Sequence, residues 1–297
     1  MKHALASGGF GIVVAVWALI FSQSAWSADT EAGAVPETVQ FNTEKTFDFS
    51  SQEQLLELPS FGEDPSYLEA GRLIGPITAG THKGLGKKYL LEKNGNYTDE
   101  VEMSFDIHLD ENFQVNTHPS EIGKFPGMEG IYDTSAGWGG KPVGTENSWS
   151  IRIGHLQQNA DGQVPIGLYI YHPHMTSTYG TGVPTGFALE TGRTYRLTLY
   201  VKLNDVGSSN GVIKLLVDGE EVYSSDSWQL RLADSVHIKS VWLDAYIGGA
   251  TPSPVDTWVA LDNLQIKWNN CTGTGCVSDA DQSPPLPPQN VRVGVGG

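Results

Sequence analysis

Sulfur and positive charge are both scarce in this chain of 297 residues, which has two cysteines, four methionines, and 18 Lys plus Arg against 34 Asp plus Glu. Two cysteines are too few for a disulfide-framework scaffold or a thiolate zinc centre. The net charge of −16 makes the average surface repel phosphate backbones and anionic headgroups, which excludes nucleic acid as a partner. A polyanion is held only if a local basic lane overrides that field. Long apolar runs are missing after residue 27, so no later segment approaches the roughly 20 residues of a membrane span. Low complexity is absent too: 35 glycines and 16 prolines follow no period, and 39% hydrophobic with 10% aromatic residues is enough for a packed core.

The two ends of the chain differ from its body. Met1 to Ser27 has the layout of a secretory signal, with Lys2 and His3 first, an apolar core from Ile12 to Phe21, and small residues around the cleavage point in Ala25-Trp26-Ser27. Cleavage leaves a mature chain from Ala28 that is secreted or periplasmic, with no membrane contact. In an oxidising compartment the close pair Cys271 and Cys276 is expected to be bridged. Beyond it, residues 271–297 continue through the Pro-rich run Ser283 to Pro288 into Gln289 to Val293, which resembles the opening strand of a fibronectin type III module.

Between the ends, period two dominates. Val101, Met103, Phe105, Ile107 and Leu109 alternate with polar residues, and the same rhythm recurs at 148–153, 166–171, 195–203, 241–247 and 258–268. Ile213 to Val217 runs into Asp218-Gly219, a hairpin signal, and Val222 begins the return strand. Many antiparallel strands without helical spacers predict an all-β fold: a β-jelly roll, a concanavalin A-like sandwich of two antiparallel sheets, within a single domain spanning 28–270. Phe47-Asp48-Phe49 is expected as an edge strand, Pro65 to Leu73 as a helical turn, and Gly123 to Gly127 as a lysine followed by a rigid turn.

The chemistry is expected on the solvent side of these strands. Ser150 and Arg152 point the same way, as do Tyr169 and Tyr171; if the two strands pair, the four share one surface. Arg supplies a planar fork for a carboxylate, and a Tyr beside a cation can move a proton. Trp138, in the Gly-rich loop from Tyr132 to Lys141, is placed to stack on a sugar, and His172 to line the cleft beside Tyr171. No metal site is expected from the histidines.

The segment Gly123-Lys124-Phe125-Pro126-Gly127-Met128-Glu129-Gly130 is similar to the GKLPGL-type motif of polysaccharide lyase family 14 and the related glucuronan lyases. In that family a Ser-x-Arg strand and a Tyr-x-Tyr strand follow, here Ser150-Ile151-Arg152 and Tyr169-Ile170-Tyr171. The order continues through Val217-Asp218-Gly219, Ile247-Gly248-Gly249 and Leu261-Asp262-Asn263. Glu129 departs from the usual glycine pair. The resemblance implies β-elimination on an anionic polysaccharide, alginate or glucuronan, by a monomer without cofactor. Lys124, Tyr169 and Tyr171 fall on its catalytic positions, Ser150 and Arg152 on substrate-binding ones. Arg152 is expected to bind the carboxylate and Tyr171 to transfer the proton, with Lys141 or Lys202 adding to the basic lane. The competing reading is a non-catalytic carbohydrate-binding module of the same fold.

Overall fold

A computed structural model describes residues 39–92, 97–115, 121–132, 136–143 and 148–270. The expected leader at 1–27 and both cysteines, Cys271 and Cys276, lie outside the described residues. In chain order the elements are β1 (Thr43–Phe47), α1 (Gln52–Leu56), β2 (Tyr67–Glu69), β3 (Arg72–Ile77), β4 (Lys83–Leu90), β5 (Glu100–Leu109), β6 (Gly123–Ile131) and β7 (Ser148–His155). They continue with β8 (Val164–Tyr171), β9 (Thr181–Leu189), β10 (Thr194–Lys202), β11 (Gly211–Val217), β12 (Glu220–Trp228), β13 (Ser240–Tyr246) and β14 (Thr257–Trp268). Every strand pairing is antiparallel.

The strands form two sheets, one ordered β12-β11-β10-β5-β14-β3-β2 with β1 also on β14, the other ordered β4-β13-β6-β7-β8-β9. Alternation puts one face of each sheet into a shared core. Met103, Phe105 and Ile107 of β5 meet Phe125, Trp149, Ile151 and Leu168 from the second sheet, all buried. Each such side chain contributes about 1.5–3 kcal/mol relative to exposure. The predicted hairpin after β11 is present, with Asp218 and Gly219 both at positive φ (51° and 85°), the mirror-image turn whose twist suits the flanking strands.

Three expectations need correction. Pro65 to Leu73 holds no helical turn; β2 and β3 pair there around a tight turn at Ala70 and Gly71, because Tyr67 and Leu68 extend beside Ile74 and Leu73. The one helix among the described residues lies earlier, at α1. Gly123 to Gly127 is strand β6, not a turn, and it absorbs Phe125 and Pro126 as a register shift between Lys124 and Gly127. Phe47 ends a paired strand, but Phe49 lies beyond it at φ 50°.

Candidate active site

Register brings the expected residues onto one face of the six-stranded sheet. Tyr246, Lys124, Gly154 and Gly167 form one row across β13, β6, β7 and β8. Trp242, Gly127, Arg152, Tyr169 and Gly182 form the next, and Ser240, Glu129, Ser150 and Tyr171 the third. Lys124, Arg152 and the two tyrosines are therefore neighbours because their strands are. The face is not open to solvent as expected: Arg152 is 5% exposed, Tyr169 7% and Tyr171 1%.

The Arg152 guanidinium carbon lies over the Trp242 indole, 3.8 Å from the ring centroid, and its Nη1 is 3.7 Å from Asp244 Oδ2. Its Nε and Nη2 are buried and have no hydrogen-bond partner among the described residues. A charged fork with two unsatisfied donors is costly to bury, and a carboxylate is the planar group that matches it. Asp244 is shared with Lys83, whose Nζ is 2.6 Å from Oδ1 and 4.5 Å from the Phe61 ring. Phe61 in turn stacks on Trp242. Arg152 is thus fixed from below by aromatic packing and from one side by a carboxylate, leaving its other edge unpartnered.

Lys124 stands over the Tyr246 ring at 4.5 Å and the Tyr169 ring at 5.5 Å. Burial, and then the nearby Arg152 charge, pulls its ammonium down to about 8. Glu129, buried in the third row, accepts from the Ser240 hydroxyl and the Ile131 N–H, and burial pushes its carboxyl up from the usual carboxylate range.

The tyrosine hydroxyls are 3.2 Å apart. Tyr171 Oη accepts from the Gly140 N–H at 2.9 Å and Tyr169 Oη from the Gly180 N–H at 3.2 Å. Two phenolic protons serve one mutual bond, so one remains free to donate elsewhere. Burial, and then the Tyr171 hydrogen bond, pushes the Tyr169 phenol well above its usual range, so it stays protonated. Ser150 donates to the Gly137 carbonyl at 2.5 Å, tying down the loop that carries Gly140 and Trp138. Trp138 is 40% exposed, with the Lys141 ammonium 4.1 Å from its ring centroid.

Two expected neighbours stand elsewhere. His172 bonds to Thr181 Oγ1 at 3.0 Å and sets its ring edge-on to Trp228, and neither contact joins it to the Lys124 and Arg152 group. Lys202 belongs to β10 in the other sheet, opposite Glu100, and adds nothing to this face. Sequence reasoning missed Asp244, Lys83 and Tyr246. Their alternation with core residues was readable, but not that β13 would lie beside β6. Among the described residues, no group of three or more His, Cys, Asp or Glu converges to hold a metal.

The chain is thus an antiparallel two-sheet sandwich with a cationic and phenolic cluster on one sheet. Residues 74–264 match the family model of polysaccharide lyase 14, and the chain belongs to that family of polysaccharide lyases. Among solved structures it is similar to alginate lyase Aly36B, with 19% identity and a TM-score of 0.61 over 76% of this chain and 97% of that one. It is also similar to the alginate lyase vAL-1 from Chlorella virus, with 16% identity and a TM-score of 0.54 over 70% and 90%. The marine PL-14 alginate lyase from Aplysia kurodai gives 18% identity and a TM-score of 0.54 over 76% and 90%. These likenesses are of fold. No curated protein matches by sequence.

Proposed function

We propose that the chain cleaves a polyuronate such as alginate or glucuronan by β-elimination, as an exported enzyme acting as a single chain. One observation carries the reading: the buried Arg152 fork has two unpartnered donors beside Lys124 and Tyr169. The alginate trisaccharide bound in a mutant of alginate lyase Aly36B supports the substrate class.

Arg152 Nε and Nη2 receive the C5 carboxylate and offset the charge that develops on it as the C5 proton leaves. Lys124, with its affinity for a proton lowered to about 8, takes that proton in its neutral form. Tyr169, the less buried phenol, donates its proton to the departing glycosidic oxygen, while Tyr171 donates to Tyr169 and is held by the Gly140 N–H. The C5–H and C4–O bonds break, the C4–C5 double bond forms, and the proton on Lys124 returns to Tyr169. Ser150 serves by holding the loop that positions Tyr171, and Trp138 is placed to stack on a sugar. Export rests on the leader pattern, and a bridge between Cys271 and Cys276 follows from it.

The test is incubation of the purified protein with a panel of polyuronates, following the ultraviolet absorbance of unsaturated ends. Absorbance growth with any of them is expected. Saturated products would mean hydrolysis, and binding without cleavage would mean a carbohydrate-binding module.

A further inference from the structure

The catalytic face is lopsided in charge. Its cations, Lys83, Lys88, Lys124 and Arg152, stand on β4, β6 and β7, whereas β8 and β9 contain no charged residue at all. On that uncharged half lies a cavity of about 260 Å³, near the roughly 300 Å³ lower end of pockets that hold small ligands. Its floor is made of Gly154, Gly167 and Gly182 from three successive strands, and its walls include Ile122, Leu156 and Pro184. Gly154 is the cross-strand neighbour of Lys124, and Gly182 that of Tyr169, so the trench begins where the catalytic pair ends.

Glycine inside a strand weakens it by roughly 0.5–1 kcal/mol and marks places where something approaches the backbone closely. At Gly167 the reason is internal, since a Cβ would stand 2.4 Å from the Val183 carbonyl oxygen. At Gly182 it is not: a Cβ would meet only the Ile122 Cδ1 methyl, at 2.8 Å. Its absence keeps the trench open beside Tyr169.

Building on the polyuronate reading, we infer that this trench is the subsite for the sugar next to the cleaved uronate, and that it holds one pyranose by its C–H face without reading its carboxylate. Among the described residues no cation lines the trench, so a carboxylate on that ring turns outward to water, and a neutral sugar fits equally well. The enzyme reads charge at the residue it cleaves and shape at the neighbour on the β8 and β9 side. The substrate class therefore widens to heteropolymers in which uronates are followed or preceded by neutral residues.

A polyuronate whose carboxyls have been reduced to neutral hexose at random positions tests this, with products sequenced by mass spectrometry. The expected products carry an unsaturated uronate at one side of every cut, and on one flank a neutral residue as often as its share in the polymer. Exclusion of neutral residues from both flanks overturns the inference while leaving the polyuronate reading intact. No cleavage of the unreduced polymer defeats both. Gly182→Ala, which pushes the Ile122 methyl into the trench, is expected to raise KM several-fold on either polymer with kcat little changed. An unaltered KM in a variant with wild-type thermal stability overturns the assignment of the trench.

Discussion

Arg152 shows how much of the site hangs on one side chain. Lysine in its place keeps the charge but loses the fork, the stacking on Trp242 and the reach to Asp244. Arg152→Lys is expected to cost about 3 kcal/mol of transition-state stabilisation, on the order of a hundredfold in kcat/KM by steady-state kinetics. The tyrosines separate by role. Tyr169→Phe removes the donated proton and should lower kcat by roughly a hundredfold or more with KM little changed, whereas Tyr171→Phe, which only loosens Tyr169, should be milder. A reversed order would move the acid to Tyr171. Lys124 must be neutral to act, so kcat/KM should climb with pH and level off above about 8, and Tyr169, with its proton held more tightly, sets no limit in that range. A flat profile between pH 6 and 9 would remove Lys124 as the base. Period two alone is enough to read Ser150 with Arg152 and Tyr169 with Tyr171; Asp244 escapes because neighbours across a sheet depend on strand order.

Among the elements, β7 does two jobs with its two faces. Outward it offers Arg152; inward it ends on His155, whose ring packs against Phe125 at 4.5 Å and Phe113 at 5.7 Å. Nε2 bonds to the Tyr246 carbonyl, Nδ1 has no partner among the described residues, and burial pulls the imidazole down to about 3. The unfolded chain takes a proton near pH 6.5 that the native ring refuses until about 3. Stability contributed by the neutral ring is therefore present above pH 6.5 and lost on acidification, by up to about 1.4 kcal/mol per pH unit. Urea unfolding at pH 7, 5 and 4 should show wild type losing stability relative to His155→Leu as the pH falls; an unchanged difference would mean that His155 is protonated in the fold. Legibility also varied by element. β5 and β10 stand out because their apolar residues alternate without interruption, and β14 because its apolar residues alternate on either side of a bulge at Asp262 and Asn263. β4 and β9 do not, because Gly and Lys break the first (KGLGKKYL) and Gly and Pro the second (TGVPTGFAL), and both are held by their neighbours rather than by their own pattern.

For the whole molecule, the net charge of −16 and the few cations gathered near Arg152 act at different ranges. Screening extends over about 10 Å at 0.1 M salt, so modest salt quiets the general repulsion of a polyanion before it weakens the close carboxylate contact. Initial rates at low substrate should rise from very low salt and then fall as it increases further. A monotonic fall would show that the local basic lane already governs the approach.

The position of β14 sets a clock. This strand, the last among the described residues, lies between β3 and β5 and also pairs with β1, so every early strand of the eight-stranded sheet waits for it. Until Trp268 has been made, β1, the β2 and β3 hairpin, and the β5-β10-β11-β12 group have nothing to join them into one sheet. The nascent chain therefore cannot complete this sheet before Trp268 has been made. A chain ending before Thr257 should lack a cooperative unfolding transition and be degraded rapidly by protease; a protease-resistant truncation would show that the sheet closes without its final strand.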